Sequence, residues 1–88
     1  MTYDIYSAMG NRIRANLVLC LADKPKNVTD LIRTCGLAQS AVSQHLTKLK
    51  EAGLVKTKRS GTSIVYSLAH KKAAEISKLL IKLSKEVS

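Results

Sequence analysis

Apolar residues recur along this chain at two periods. Helical spacing runs to about residue 52, alternation covers 54–68, and helical spacing returns from 70. Thr2 to Met9 predicts a short helix with Ile5 and Met9 on one face. Gly10-Asn11 supplies a break and an N-cap. A second helix follows with Ile13, Leu17, Cys20 and Leu21 on one stripe, ended by Asp23-Lys24-Pro25-Lys26. Asn27 caps a third helix that runs to about Cys35 and buries Val28, Leu31 and Ile32, with Asp30 favouring its positive end. Gly36 suits the left-handed conformation at a helix end, and Leu37-Ala38 completes a tight turn. The next helix spans about Gln39 to Ala52, with Val42, Leu46 and Leu49 inward and Gly53 as its stop. Ala38 stands where a capping side chain is usual, which forgoes about 1 kcal/mol.

Two helices about a glycine turn, over about 28–52, form a helix-turn-helix pattern. The alternating stretch predicts strands over Leu54–Arg59 and Ser63–Leu68 about a Ser60-Gly61-Thr62 turn, a wing over about 54–68 with Ile64, Tyr66 and Leu68 on one face. A last helix is expected over about 70–87. Its Ala73, Ile76, Leu80, Leu83 and Val87 are spaced as the seam of two facing helices, widened by Leu79. The expected fold is therefore mainly α with a small β-hairpin, one winged helix-turn-helix domain over 1–88. The seam of the last helix, Ala73, Ile76, Leu79, Leu80, Leu83 and Val87, is expected to face a second copy.

Composition narrows the partner. A chain of 88 residues has room for one domain and a limited core, which a second copy would enlarge. The formal net charge is +9 while the hydrophobic share is 45%, so this is a folded object with an electropositive surface. Nucleic acid leads as partner class, and an anionic membrane surface comes second. Only Tyr3, Tyr6 and Tyr66 are aromatic, too few to stack single-stranded bases. The longest apolar run, Leu17 to Ala22, falls far short of the roughly 20 residues that span a bilayer. The start lacks the features of a signal peptide, so a cytoplasmic, nucleoid-associated location and no membrane partner are expected. Paired carboxylates, a nucleophile-base set and a glycine-rich phosphate loop are all missing, and no enzyme is expected.

On the helix of the Val42 stripe, Ser40, Gln44 and Thr47 fall opposite the apolar side, with Ser43 and Lys48 flanking and Gln39 at the start. Gln pairs bidentately with adenine, and Ser and Thr bond bases or phosphates. Lys48, Lys50, Lys56, Lys58 and Arg59 stand against the single acid Glu51 in this region, and phosphate contacts dominate affinity. Arg59 and Thr62 lie at the small wing tip, where Arg suits a narrow minor groove. The candidate contacts to double-stranded DNA are therefore Gln39, Ser40, Ser43, Gln44, Thr47, Lys48, Lys56, Lys58, Arg59 and Thr62. The competing reading is a solvated helix face and a hairpin whose lysines only guard an edge. His45, about 60° from the core stripe, is expected to be a boundary residue bonded to backbone, and His70 an exposed helix-start residue.

The blocks Ala8-Met9-Gly10-Asn11-Arg12, Val28-Thr29-Asp30-Leu31, Gly36 to Leu46, Leu49 to Val55 and Tyr66-Ser67-Leu68 resemble, in order and spacing, the ArsR/SmtB family of winged-helix repressors. The run Gln39-Ser40-Ala41-Val42-Ser43-Gln44-His45-Leu46 followed by Ala52-Gly53-Leu54-Val55 is the most specific part. The resemblance implies a homodimer joined by its N- and C-terminal helices, which adds Ile5 and Met9 of the first helix to the expected dimer interface, and which binds an imperfect palindromic operator as a transcriptional repressor. Many members release DNA when a metal or an oxidant binds. The family's metal sites do not carry over. Asn27 and Thr29 stand at the places of a Cys-x-Cys pair, and His70-Lys71-Lys72, then Leu83 and Glu86, stand where the last helix would supply ligands. Two ammonium groups oppose a cation there, so neither a metal nor another cofactor is expected, and any effector is unassigned.

The thiols are the remaining sensor candidates. A haemolysin-activator-like branch pairs a cysteine in an early helix with one near the chain end; Cys20 lies near the first place, but 84–88 hold no cysteine. In an intracellular chain Cys20 and Cys35 are expected to be reduced, Cys20 as a core thiol and Cys35 at a helix end that disfavours a thiolate. Two alternatives thus stand beside the repressor: a thiol redox sensor of the same family, and a winged-helix module that binds an acidic protein through its basic face.

Overall fold

The computed structural model describes residues 4–88; the part of the first expected helix that precedes Asp4 lies outside the described residues. The elements are α1 (Ile5–Met9), α2 (Arg12–Cys20), β1 (Lys26–Asn27), α3 (Val28–Cys35), α4 (Gln39–Glu51), β2 (Val55–Ser60), β3 (Ser63–Leu68) and α5 (Lys72–Val87). Local chemistry accounts for most of the boundaries. The Asp4 carboxylate accepts from the Ser7 amide at 2.8 Å and starts α1, and the Asn11 amide oxygen accepts from the Arg14 amide at 3.0 Å and starts α2. Asn27 and Asp30 form a reciprocal capping box on α3: Asp30 N–H donates to Asn27 Oδ1 at 2.8 Å and Asn27 N–H to the Asp30 carboxylate at 3.5 Å. Gly36 ends that helix at φ 68°, a left-handed conformation costly for any residue with a Cβ. Ala38 provides no side-chain cap for α4.

The core gathers Leu17 and Val18 of α2, Leu31 of α3, and Val42, Leu46 and Leu49 of α4, all without solvent exposure. Leu54 and Val55 extend it beyond α4, and Tyr66 and Leu68 of β3 pack against it half-buried. Ile64, expected on that same face, is 44% exposed, because it sits near the free tip of the hairpin, beyond the reach of the helices.

Several expectations need correction. The hairpin is part of a three-stranded antiparallel sheet, order β1-β3-β2, in which Lys26 pairs with Tyr66 and Asn27 with Val65. A strand of two residues has no alternation to read. Met9 (6% exposed) and Ala73 (2%) belong to the core rather than to an outer seam. α1 is short and lies against α2, which draws Met9 inward, and α5 packs on α2 through its small residues Ala73 and Ser77. Cys20 and Cys35, expected as free thiols, are joined in a disulfide that ties the last residue of α2 to the last residue of α3, Cα to Cα 6.8 Å. Lys26 is buried as well: its ammonium donates to the Cys20 carbonyl and to the Asp23 carboxylate at 2.6 Å. That hydrogen bond holds the Asp23 carboxyl below its ordinary range.

Candidate nucleic-acid interface

α4 is positioned by its apolar side. Val42, Leu46 and Leu49 are fully buried, so the other side of the helix has to face outward. Gln39, Ser40, Ser43, Gln44, Thr47 and Lys48 are all exposed. The Thr47 hydroxyl donates to the Ser43 carbonyl at 3.0 Å, which leaves its oxygen as an outward acceptor. Lys48 and Lys50 lie in the last turn, where cations complement the negative end of the helix.

Gly53, at φ 80°, turns the chain from α4 directly into β2, and the two elements are in contact. On β2 the side chains alternate: Val55 is buried, Lys56 and Lys58 are exposed, and Thr57 between them is half-buried. Arg59 is exposed opposite Ile64, and Thr62 is exposed in the loop after Gly61, which adopts φ 62°. Every one of the candidate contacts is thus solvent-accessible, on one polar helix face and one basic hairpin.

His45 differs from expectation. Its Nδ1 lies 3.0 Å from Nη1 of Arg14, a side chain of α2, rather than on a backbone group. Arg14 is 4% exposed, and its Nε and Nη2 donate to the Ala8 and Ser7 carbonyls at 3.0 and 3.1 Å. Burial, then the charges of Arg14 and Lys48, hold the His45 pKa below its ordinary value, so the ring is neutral at neutral pH. Sequence reading missed Arg14. A signal was available: it shares the helical stripe of Leu17, Val18 and Leu21, an apolar position filled by a cation.

The places at which the family binds metal do not fit a metal here. Asn27 is committed to the capping box, Thr29 is exposed, and His70 stands exposed beside the exposed Lys71 and Lys72. Among the described residues no group of three or more His, Cys, Asp or Glu is placed to hold a metal ion. Among the same residues no helix is long and apolar enough to cross a membrane.

A helix-turn-helix whose second helix shows a polar face, followed by a basic hairpin and flanked by outer helices, is a winged helix-turn-helix of the kind found in DNA-binding regulators. Comparison with known proteins agrees. The family described as bacterial regulatory proteins of the arsR family matches residues 11–57. The Mycobacterium tuberculosis HTH-type transcriptional regulator KmtR is 32% identical over 76 residues, 86% of this chain; the chain spans only 58% of KmtR's length. The solved structure of HlyU from Vibrio cholerae is 33% identical with a TM-score of 0.76, covering 90% of this chain and 86% of that one. The structure of the transcriptional repressor BigR from Xylella fastidiosa is 31% identical with a TM-score of 0.78, covering 89% and 80%. The chain belongs to the arsR family of bacterial transcriptional regulators.

Proposed function

We propose that this chain is a dimeric, sequence-specific repressor that occludes a promoter. Two copies of α4 enter successive major grooves of a palindromic operator about 34–36 Å apart, with the wings on flanking phosphates. The observation that carries this is the division of α4: Val42, Leu46 and Leu49 are fully buried, while Gln39, Ser40, Ser43, Gln44 and Thr47 are exposed. Short donor-acceptor side chains suit base edges, whereas a protein interface favours aromatics. Gln44 and Ser40 read bases; Lys48, Lys56, Lys58 and Arg59 contact backbone or minor groove, and Thr62 lets the tip approach closely. Pairing of two copies is supported by the outward apolar row of α5, with Leu79 64% and Leu83 55% exposed, and by Ile5 of α1, 50% exposed.

The test is selection of bound fragments from random duplex DNA at about 150 mM salt, where non-specific binding is weak, with a Kd on the order of 10⁻⁴–10⁻⁶ M. A two-fold symmetric site with half-sites about one helical turn apart is expected. Recovery of no motif from folded protein would overturn the reading.

One observation favours a further layer, regulation through thiols. The Cys20–Cys35 bond fixes α2 to α3, the helix that supports α4, and both cysteines line an open cleft with Ile13, Asn16, Leu19, Thr34 and Leu37. Oxidation of the dithiol passes two electrons and two protons to a hydroperoxide, which leaves as an alcohol and water. A dithiol reductant reverses the step. Operator affinity is expected to differ between peroxide-treated and reduced protein, and a Cys35→Ser variant is expected to abolish the difference. Equal affinity of the two states would remove this layer and leave the repressor intact.

A further inference from the structure

The Arg14–His45 contact crosses from α2 to the helix that presents the polar face, and it joins α4 to the end of α1. Arg14 enters the protein with no acceptor atom of its own, so it satisfies its buried guanidinium only with acceptors. The Ala8 and Ser7 carbonyls, in the last turn of α1, are two of them, and His45 Nδ1 is another. An arginine donates at every accessible pH, so His45 has to accept through Nδ1 and carry its proton on Nε2. The ring's tautomer is therefore dictated by its neighbour. His45 adjoins the exposed Gln44 in sequence and lies beside the fully buried Leu46. It stands at the edge between the packed side of α4 and its outer side.

We propose that Arg14 and His45 are positioning residues for DNA recognition: their hydrogen bond sets the attitude of α4 relative to α1, and operator discrimination depends on it although neither residue reads a base. The proposal rests on the reading of α4 as the DNA-reading helix and α1 as part of the dimer contact. In a dimer the two copies of α4 must meet both half-sites at once. A guanidinium held to the end of α1 by two carbonyls is a fixed anchor for each of them. Non-specific binding, which depends on the charge of Lys56, Lys58 and Arg59, does not require that attitude.

The link is also sensitive to acid. A proton on Nδ1 turns the acceptor into a donor and sets two cations face to face. The charged groups acting on the ring are Arg14 from α2 and Lys48 from α4 itself. Because the folded pKa lies below the ordinary value of about 6.5, the folded chain takes up this proton less readily than the unfolded chain. The contribution is complete above about pH 6.5 and is lost as pH falls through the folded pKa.

The experiment uses the full chain in three forms: wild type, His45→Leu and His45→Asn. Leu removes the acceptor. Asn keeps one where Nδ1 stood and does not titrate. Each is checked for folding by circular dichroism and titrated with the selected operator and with random duplex at pH 7.5 and at a series of lower pH values through the His45 transition. His45→Leu is expected to lower the operator-to-random affinity ratio about tenfold, within the usual range of coupling between sites, with random-duplex affinity held. His45→Asn is expected to restore the ratio to within about threefold of wild type and to lack the acid loss that wild type shows. A pH effect common to all three forms is not assigned to His45. Nitrogen NMR of the imidazole gives a readout independent of DNA, with a neutral ring protonated on Nε2 expected. An Nδ1–H tautomer, or an unchanged operator ratio in His45→Leu, overturns the proposal alone. So does an Asn variant as defective as the Leu variant, since that would make the ring itself a DNA contact. A wild-type chain with no operator preference overturns the DNA-reading assignment and this proposal together.

Discussion

In α4 the apolar stripe of Val42, Leu46 and Leu49 is covered completely by the domain it belongs to; in α5 Ile76, Leu79, Leu80, Leu83 and Val87 stand open to solvent. Both helices are amphipathic, and their sequences look alike in that respect. What differs is the side that meets the body of the domain. α4 turns large apolar residues inward and small polar ones outward. α5 turns Ala73 and Ser77 onto α2 and leaves most of its large residues outside. Period alone shows that a helix has two faces, while residue size decides which face fits a crowded neighbour. A helix that spends its small residues on its own domain keeps its apolar area for another partner, here a second copy by our reading.

Substitutions on each helix separate the two roles. Leu46→Ala removes a fully buried side chain and is expected to destabilise the fold by about 2–5 kcal/mol in denaturant titration. A loss near zero would show that α4 is not held by its stripe. Leu83→Glu on α5 is expected to leave the monomer folded while costing about 2 kcal/mol or more of association, roughly a 30-fold rise in dimer dissociation constant by sedimentation. If Leu83→Glu unfolds the chain instead, the exposed row belongs to the fold and the contrast between the helices fails. Gln44→Ala, on the outer face of α4, is expected to leave stability unchanged and to lose about 1–3 kcal/mol of discrimination at one base position. An equal loss on every sequence would reassign Gln44 to the phosphates. Ser77 is the smallest test. Its hydroxyl is buried without a hydrogen-bond partner. Ser77→Ala is expected to raise stability by about 1 kcal/mol, measured by thermal unfolding; a fall would mean that the hydroxyl is satisfied in solution.

Where a rule is local, the sequence was easy to read. The caps at Asn11 and Asn27, the left-handed Gly36 and the alternation from Val55 to Leu68 each act within a few residues, and each element stands close to its expected place. The exposure of Gln44 and its neighbours followed from the position of Val42 on the same helix. What stayed hidden depends on partners far along the chain. β1 exists only because β3 offers Tyr66 and Val65 to it. The disulfide depends on how α2 lies against α3. Met9 and Ala73 shared a helical face with residues that remain exposed, and only the packing on α2 separates them. Arg14 was obscured because a cation is rarely fully buried, and two of its acceptors are backbone carbonyls that carry no residue identity.

The pairing of Lys26-Asn27 with β3 has a consequence for the order in which the chain folds. α3, α4 and the β2–β3 hairpin close through neighbouring residues, whereas β1 joins the first third of the chain to the last. Closing so long a loop costs entropy that only later contacts offset. During synthesis the helix-turn-helix emerges and can form its local bonds well before β3 exists. The β1–β3 pairing therefore locks after the helix-turn-helix, and so does the packing of α5 on α2, which closes a longer loop still. Asn27, which caps α3 and also pairs in β1, passes from a purely local role to a long-range one at that step.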